Sequence, residues 1–159
     1  MVGVGSDMIT PADGHFRLDS EAATGRLGAA IGKVLERGEA VCLFGPLGAG
    51  KSVLARGLIR VLCPGEQEAP SPTFTLVQFY EGPLRLAHFD LFRLERPEEA
   101  FEIGLEEALE HGAAIIEWAD RLGHRLPSER LEVELAFEGE ARLAMLTPAG
   151  AWEGRPIEV

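Results

Sequence analysis

Between the apolar run Ala40-Val41-Cys42-Leu43-Phe44 and a stretch of helical periodicity that begins at Gly50 lies the string Gly45-Pro46-Leu47-Gly48-Ala49-Gly50-Lys51-Ser52. A glycine, four residues and then Gly-Lys-Ser, set between those flanks, commit the chain to a buried strand, a tight loop and a helix in direct succession. That unit belongs to α/β folds with parallel strands. Its glycines let the backbone wrap closely with N–H groups turned inward, and the helix that follows adds the partial positive charge of its N-terminus. The loop is therefore an anion trap. With 19 Gly in 159 residues and Lys33 and Lys51 as the only lysines, about 0.002 such strings are expected by chance. A chain that otherwise carries positive charge on arginine keeps a lysine where a compact ammonium on a flexible stem suits the outer phosphates of a nucleoside triphosphate. The Ser52 hydroxyl is suited to ligate Mg²⁺. A dinucleotide-binding fingerprint is excluded, because Val53 stands where its third glycine belongs.

A chain of this length that is 46% hydrophobic reads as a single domain over residues 1–159, with 1–17 and 148–159 expected to be loose. A net charge of −11 disfavours direct grip on a phosphate backbone, so any nucleic acid is expected to be held by another subunit. Cys42 and Cys63 lack companions at metal-ligand spacing and read as free thiols in a reducing compartment, ahead of a disulfide. No apolar stretch near the start has signal-peptide or membrane-span length; the expectation is a cytoplasmic protein without membrane contact.

Along the chain, Ser20 reads as a helix cap, with Thr24, Leu27, Gly28, Ile31, Val34 and Leu35 on one face and Gly38 as the stop. The helix after the glycine loop ends at Cys63-Pro64-Gly65, and a polar loop over 66–72 follows. Thr73 to Tyr80 and Leu84 to Leu91, separated by Glu81-Gly82-Pro83, suggest an antiparallel hairpin. Pro97-Glu98-Glu99 starts a helical region that Gly104 interrupts and Gly112 ends. Ala113 to Trp118 is a second buried strand. Alternation from Leu131 to Phe137, a turn at Gly139 and the run Ala141 to Leu146 make a final hairpin, after which no element is assigned. The expected fold is α/β: a mixed sheet of the P-loop NTPase type, with a parallel core and antiparallel hairpins, flanked by helices.

Hydrolysis of a bound nucleotide needs a carboxylate near Mg²⁺ and a group that orients water. Glu117, at the exit of the apolar strand 113–116, is the candidate for the first. Asp90, in His88-Phe89-Asp90-Leu91-Phe92-Arg93, is the candidate for the second or for a water-mediated metal contact. His88 would share Asp90's face in a strand but reads as a satisfied core histidine. His15, His111 and His124 read as surface residues, Glu98-Glu99 and Glu106-Glu107 as solvated helix faces, and Trp118 by default as core. Ser71-Pro72-Thr73-Phe74-Thr75 suits either a phosphate-sensing switch or simple turn chemistry.

Taken together these stretches resemble the TsaE family, also called the YjeE family, from Ser20 to Arg142. The likeness rests on Thr24 and Gly28 in the first helix, on Leu47-Gly48-Ala49-Gly50-Lys51-Ser52, and on Ser71-Pro72-Thr73-Phe74-Thr75-Leu76-Val77. It continues through His88-Phe89-Asp90-Leu91-Phe92-Arg93-Leu94, the Gly104-Leu105 step and Glu117-Trp118. The resemblance implies a Mg²⁺-dependent ATPase, slow alone, that binds ATP and ADP and supports formation of the threonylcarbamoyl group on adenosine 37 of tRNAs. It implies association with TsaD-like and TsaB-like subunits, with tRNA met only through them. By position, Gly48, Ala49, Gly50, Lys51, Ser52 and Val53 would hold the phosphates, and Ser52 and Glu117 would ligate Mg²⁺. Asp90, Lys51, Thr73 and Glu117 would carry the chemistry, Trp118 would influence it from beside the site, and Ser20 and the turn at Gly139 would touch the nucleotide. Three departures stand out: Pro46 where an acid is usual, Ser52 for threonine, and Phe92 where tyrosine is common. From the glycine loop alone, a small-molecule kinase and a nucleotide-gated binding module remain alternatives. An arginine finger would come from Arg93 or from a partner.

Overall fold

A computed structural model of the chain describes residues 8–9, 14–65 and 76–159. The expected loop 66–72 and the hydroxyl-bearing stretch 71–75, with Thr73, lie outside the described residues. In chain order the elements are β1 (Met8–Ile9), β2 (His15–Leu18), α1 (Glu21–Val34), β3 (Ala40–Phe44), α2 (Lys51–Leu62), β4 (Val77–Tyr80) and β5 (Leu86–Asp90). They continue with α3 (Glu98–Glu102), α4 (Leu105–His111), β6 (Ala113–Glu117), β7 (Arg130–Glu138), β8 (Ala141–Ala149) and β9 (Ile157–Glu158). Short 3₁₀ segments cover Ala119–Arg125, with a kink at Gly123, and Gly150–Trp152.

Seven strands form one mixed sheet in the order β2-β8-β7-β3-β6-β5-β4. β3 runs parallel to both β6 and β7, and β5 runs parallel to β6, whereas the β4–β5, β7–β8 and β2–β8 pairs are antiparallel. The sheet is mixed because tight turns can join only antiparallel neighbours; the parallel pairs need helical crossovers. The central strands are apolar on both faces, as strands covered on both sides must be. Val41, Leu43, Ala113 and Ile115 pack on the side of α1 and α2, while Ala40, Cys42, Ala114 and Ile116 pack with residues of α3 and α4. Burial pushes the Cys42 thiol up to about 12, so it stays protonated and inert.

The first helix ends at Val34, short of the expected stop at Gly38, because Leu35 takes an extended conformation. The Arg155 guanidinium donates to the Val34 carbonyl at 3.0 Å and so satisfies one of its terminal acceptors. Residues 148–159, to which no element was assigned, hold the end of β8, a 3₁₀ turn and β9. Trp152 and Ile157 are fully buried there.

The helices α1 and α2 touch at backbone distance. A Cβ on Gly28 would lie 2.0 Å from the Leu54 carbonyl oxygen, and one on Gly57 would lie 2.2 Å from that of Gly25. Neither obstacle can rotate away, so Gly28→Ala forces the helices apart and is expected to cost about 1–3 kcal/mol. A urea midpoint equal to that of the parent protein would show that the helices do not meet at this distance.

Candidate functional site

Three parallel strands, β3, β5 and β6, end on the same edge of the sheet, where an open α/β sheet places its binding crevice. The glycine loop leaves β3 there. Gly45 has φ +135°, and a Cβ on it would stand 2.3 Å from the Leu135 carbonyl oxygen, so both backbone and space require glycine. The Ala49 amide donates to the Pro46 carbonyl, which closes the turn, and Ala49 itself is buried. Gly50, at φ +108°, precedes α2 without a side-chain cap. Gly50 thus offers the first turn of α2 no capping side chain of its own.

A cleft of about 290 Å³ opens above this loop, and Gly48, Gly50, Lys51, Ser52 and Val53 line it. Asp90, Glu117 and Trp118 line it as well. Asp90 and Glu117 are register partners at the ends of β5 and β6, so the parallel ladder itself brings the two carboxylates together. Lys51 is only 6% exposed. Its Nζ donates to the Gly45 carbonyl and lies 4.0 Å from the Trp118 ring centroid. Burial lowers the Lys51 pKa below the usual lysine range, against the opposing pull of Glu117, Asp120 and Asp90. Burial likewise raises the Asp90 carboxyl above the ordinary range, aided by the Glu117 charge and opposed by a hydrogen bond from the Phe92 amide. Each charge is poorly solvated in the cleft.

A carboxyl whose folded pKa is raised binds its proton more tightly folded than unfolded, so stability falls as pH rises through both values, and the full cost is present at neutral pH. Asp90→Asn keeps an acceptor for the Phe92 amide and removes the charge. It is expected to raise the melting temperature of the nucleotide-free protein at pH 7, and a lower melting temperature would contradict the stated burial cost.

Trp118, read by default as core, is half-buried at the site instead. It is the one described non-glycine residue with a left-handed backbone, at φ 58°. Its ring also meets Phe92 at 4.9 Å between centroids. Such a conformation costs roughly 1–2 kcal/mol for a bulky residue, and it swings the ring over Lys51 where the chain leaves β6. Ser20 caps α1 by accepting from the Ala23 amide, and it also lines a second, smaller recess of about 80 Å³ with Gly48, Gly50 and Val53. Glu140 and Arg142 border that recess. Gly139 turns the chain between β7 and β8 at φ +61°, next to this border.

Residues 18–144 match the family described as Threonylcarbamoyl adenosine biosynthesis protein TsaE. The chain belongs to the TsaE family. A relative from Rickettsia bellii, named tRNA threonylcarbamoyladenosine biosynthesis protein TsaE, is 39% identical over 132 residues, 82% of this chain and 92% of its own length. A namesake from Nostoc sp. is 41% identical over 140 residues, 84% of each chain. The crystal structure of Bacillus subtilis YdiB superposes with a TM-score of 0.73 at 24% identity, covering 95% of this chain and 93% of that one, and it speaks to the fold alone. The mixed α/β sheet flanked by helices is shared with that neighbour.

Two contacts at this cleft escaped sequence reasoning. His88 is a buried core histidine as expected, but it is only half satisfied. Its Nε2 lies 2.6 Å from Glu117 Oε2, and its Nδ1 has no partner among the described residues. The visible signal was its two-residue spacing from Asp90, which puts both on the face of β5 that meets Glu117. Arg142 donates to the Gly48 carbonyl at 3.2 Å and lies 4.5 Å from the Phe137 ring centroid. No local pattern could place β8 against the glycine loop.

Proposed function

We propose that the chain is an ATPase of the P-loop NTPase type, and that its hydrolysis serves t6A formation by an assembly of TsaD-like and TsaB-like subunits. The observation that supports this best is the convergence of the glycine loop, Lys51, Asp90 and Glu117 on one cleft at the ends of three parallel strands. The loop and the uncapped start of α2 receive the β- and γ-phosphates, and Lys51 exchanges the Gly45 carbonyl for a phosphate oxygen.

The donors present fit Mg²⁺. This cation takes one or two protein oxygens and completes its shell from phosphates and water, and the Ser52 hydroxyl and Glu117 carboxylate are hard oxygen donors on residues that line the same cleft. Burial, with a smaller contribution from the Glu117 charge, raises the Asp90 pKa, and a divalent cation in the cleft would offset both. When bound, Mg²⁺ neutralises charge gathering on the phosphate oxygens. Glu117 holds its position, Asp90 orients the attacking water, and Trp118 keeps the Lys51 stem covered and dry.

Leu47, Phe92 and Phe137 are large apolar side chains at 80%, 48% and 53% exposure around or near the loop and cleft, a surface that a protein partner would cover. The test is phosphate release from Mg-ATP by the chain alone and with its two partner subunits, alongside tRNA modification over repeated cycles. Stimulated release that tracks modification supports the reading. Phosphate transferred to a metabolite, or no release in the full assembly, would reject it.

A further inference from the structure

We propose that His88 is a positioning residue that sets the orientation of Glu117 for the cation, an inference that rests on the Mg-ATP reading above. His88 is 1% exposed and Glu117 5%, so both polar groups have given up water on folding. An ionised carboxylate accepts, hence the ring carries its hydrogen on Nε2 and donates to Oε2 at 2.6 Å. That bond leaves Oε1 as the carboxylate oxygen without a hydrogen-bond partner among the described residues, on a side chain that lines the cleft. A carboxylate at a strand end otherwise turns freely about its side-chain torsions; one anchored oxygen removes that freedom before the cation arrives. Groups that ligate metals are held by such outer partners, and losing one typically weakens metal binding 10- to 100-fold.

A purely structural tie explains the pair less well. The β5–β6 ladder already aligns His88 with Ile115 and Asp90 with Glu117, so the strands need no side-chain bond to hold register. An apolar pair at these positions would avoid the burial of an acid and of an unpartnered Nδ1. The expense is explained if the acid has a second task in the cleft. Geometry gives the same ordering: the ring lies behind Glu117, on the face of β5 that it shares with Asp90, and it is not among the residues lining the cleft.

The experiment measures ADP affinity by calorimetry as Mg²⁺ is titrated, and again in excess EDTA, for the full chain and for His88→Leu and His88→Gln. The leucine keeps the volume and lacks the donor; the glutamine amide places a donor near the original Nε2. Expected are a Mg²⁺ midpoint raised about tenfold or more in His88→Leu, most of it restored in His88→Gln, and unchanged affinity in EDTA for both. If His88→Leu does not fold, His88→Asn, whose shorter amide stops short of Glu117, replaces it. A Mg²⁺ midpoint in the donor-less variant equal to that of the parent overturns the proposal alone. So does an equal loss in EDTA, which is the mark of general damage. A parent protein whose ADP affinity ignores Mg²⁺ overturns the metal reading and this proposal together.

Discussion

Replacing Lys51 by methionine is expected to weaken ADP and ATP binding by roughly 30- to 100-fold, the worth of one charge-assisted hydrogen bond to a phosphate. Turnover should fall further, by on the order of 100- to 1000-fold, because charge on the γ-phosphate oxygens peaks in the transition state. Methionine is chosen because its unbranched stem keeps the packing beneath Trp118 and deletes only the ammonium. The same variant should not be less stable without nucleotide. Burial lowers the Lys51 pKa, so the folded chain binds that proton less tightly than the unfolded chain. Below both values the lysine is charged in either state and the burial cost is fully present; stability rises only as pH climbs through the lowered value. Methionine removes the cost. Binding lost with a melting temperature at or above that of the parent is therefore the expected pair of results. Retained nucleotide affinity would remove Lys51 from the site.

Arg155→Ala is expected to lose about 3–5 kcal/mol of stability, which lowers the melting temperature by about 10 °C for a chain of this size. The guanidinium binds Glu39 through two contacts of 2.7 Å and lies 4.4 Å from the Trp152 ring centroid. Glu39 is 4% exposed and also accepts from the Glu36 amide. Truncating the arginine leaves a buried carboxylate with no counter-charge and frees the last acceptor of α1. The double variant Arg155→Leu with Glu39→Leu should recover much of the loss, since an apolar pair avoids the stranded charge. A single variant within about 1 kcal/mol of the parent protein would show that water reaches Glu39 in the folded state.

Much of the fold was legible because it is written in local periods. Continuous apolar runs marked β3 and β6, the glycine loop marked the junction of β3 with α2, and Gly104 marked the break between α3 and α4. The hairpin of β7 and β8 followed from alternation around Gly139. The C-terminal residues were illegible for the converse reason. Their order depends on Trp152 entering the core and on Arg155 meeting Glu39 across 116 positions, and neither leaves a periodic trace. The burial of His88 was legible in its sequence context, whereas its partner Glu117, 29 positions away, was not.

Residue order alone determined that this chain carries an anion trap between a strand and a helix, and that acids stand at the exits of two further apolar strands. Local steric rules and hydrophobic spacing act over a few residues, so one dimension suffices to read them. Only the tertiary structure decided that Asp90 and Glu117 are side by side, that Trp118 lies over Lys51, and that His88 grips one oxygen of Glu117. Those contacts depend on which strands pair and in what register, and the free energy that selects the pairing comes from burying both faces of the whole sheet at once.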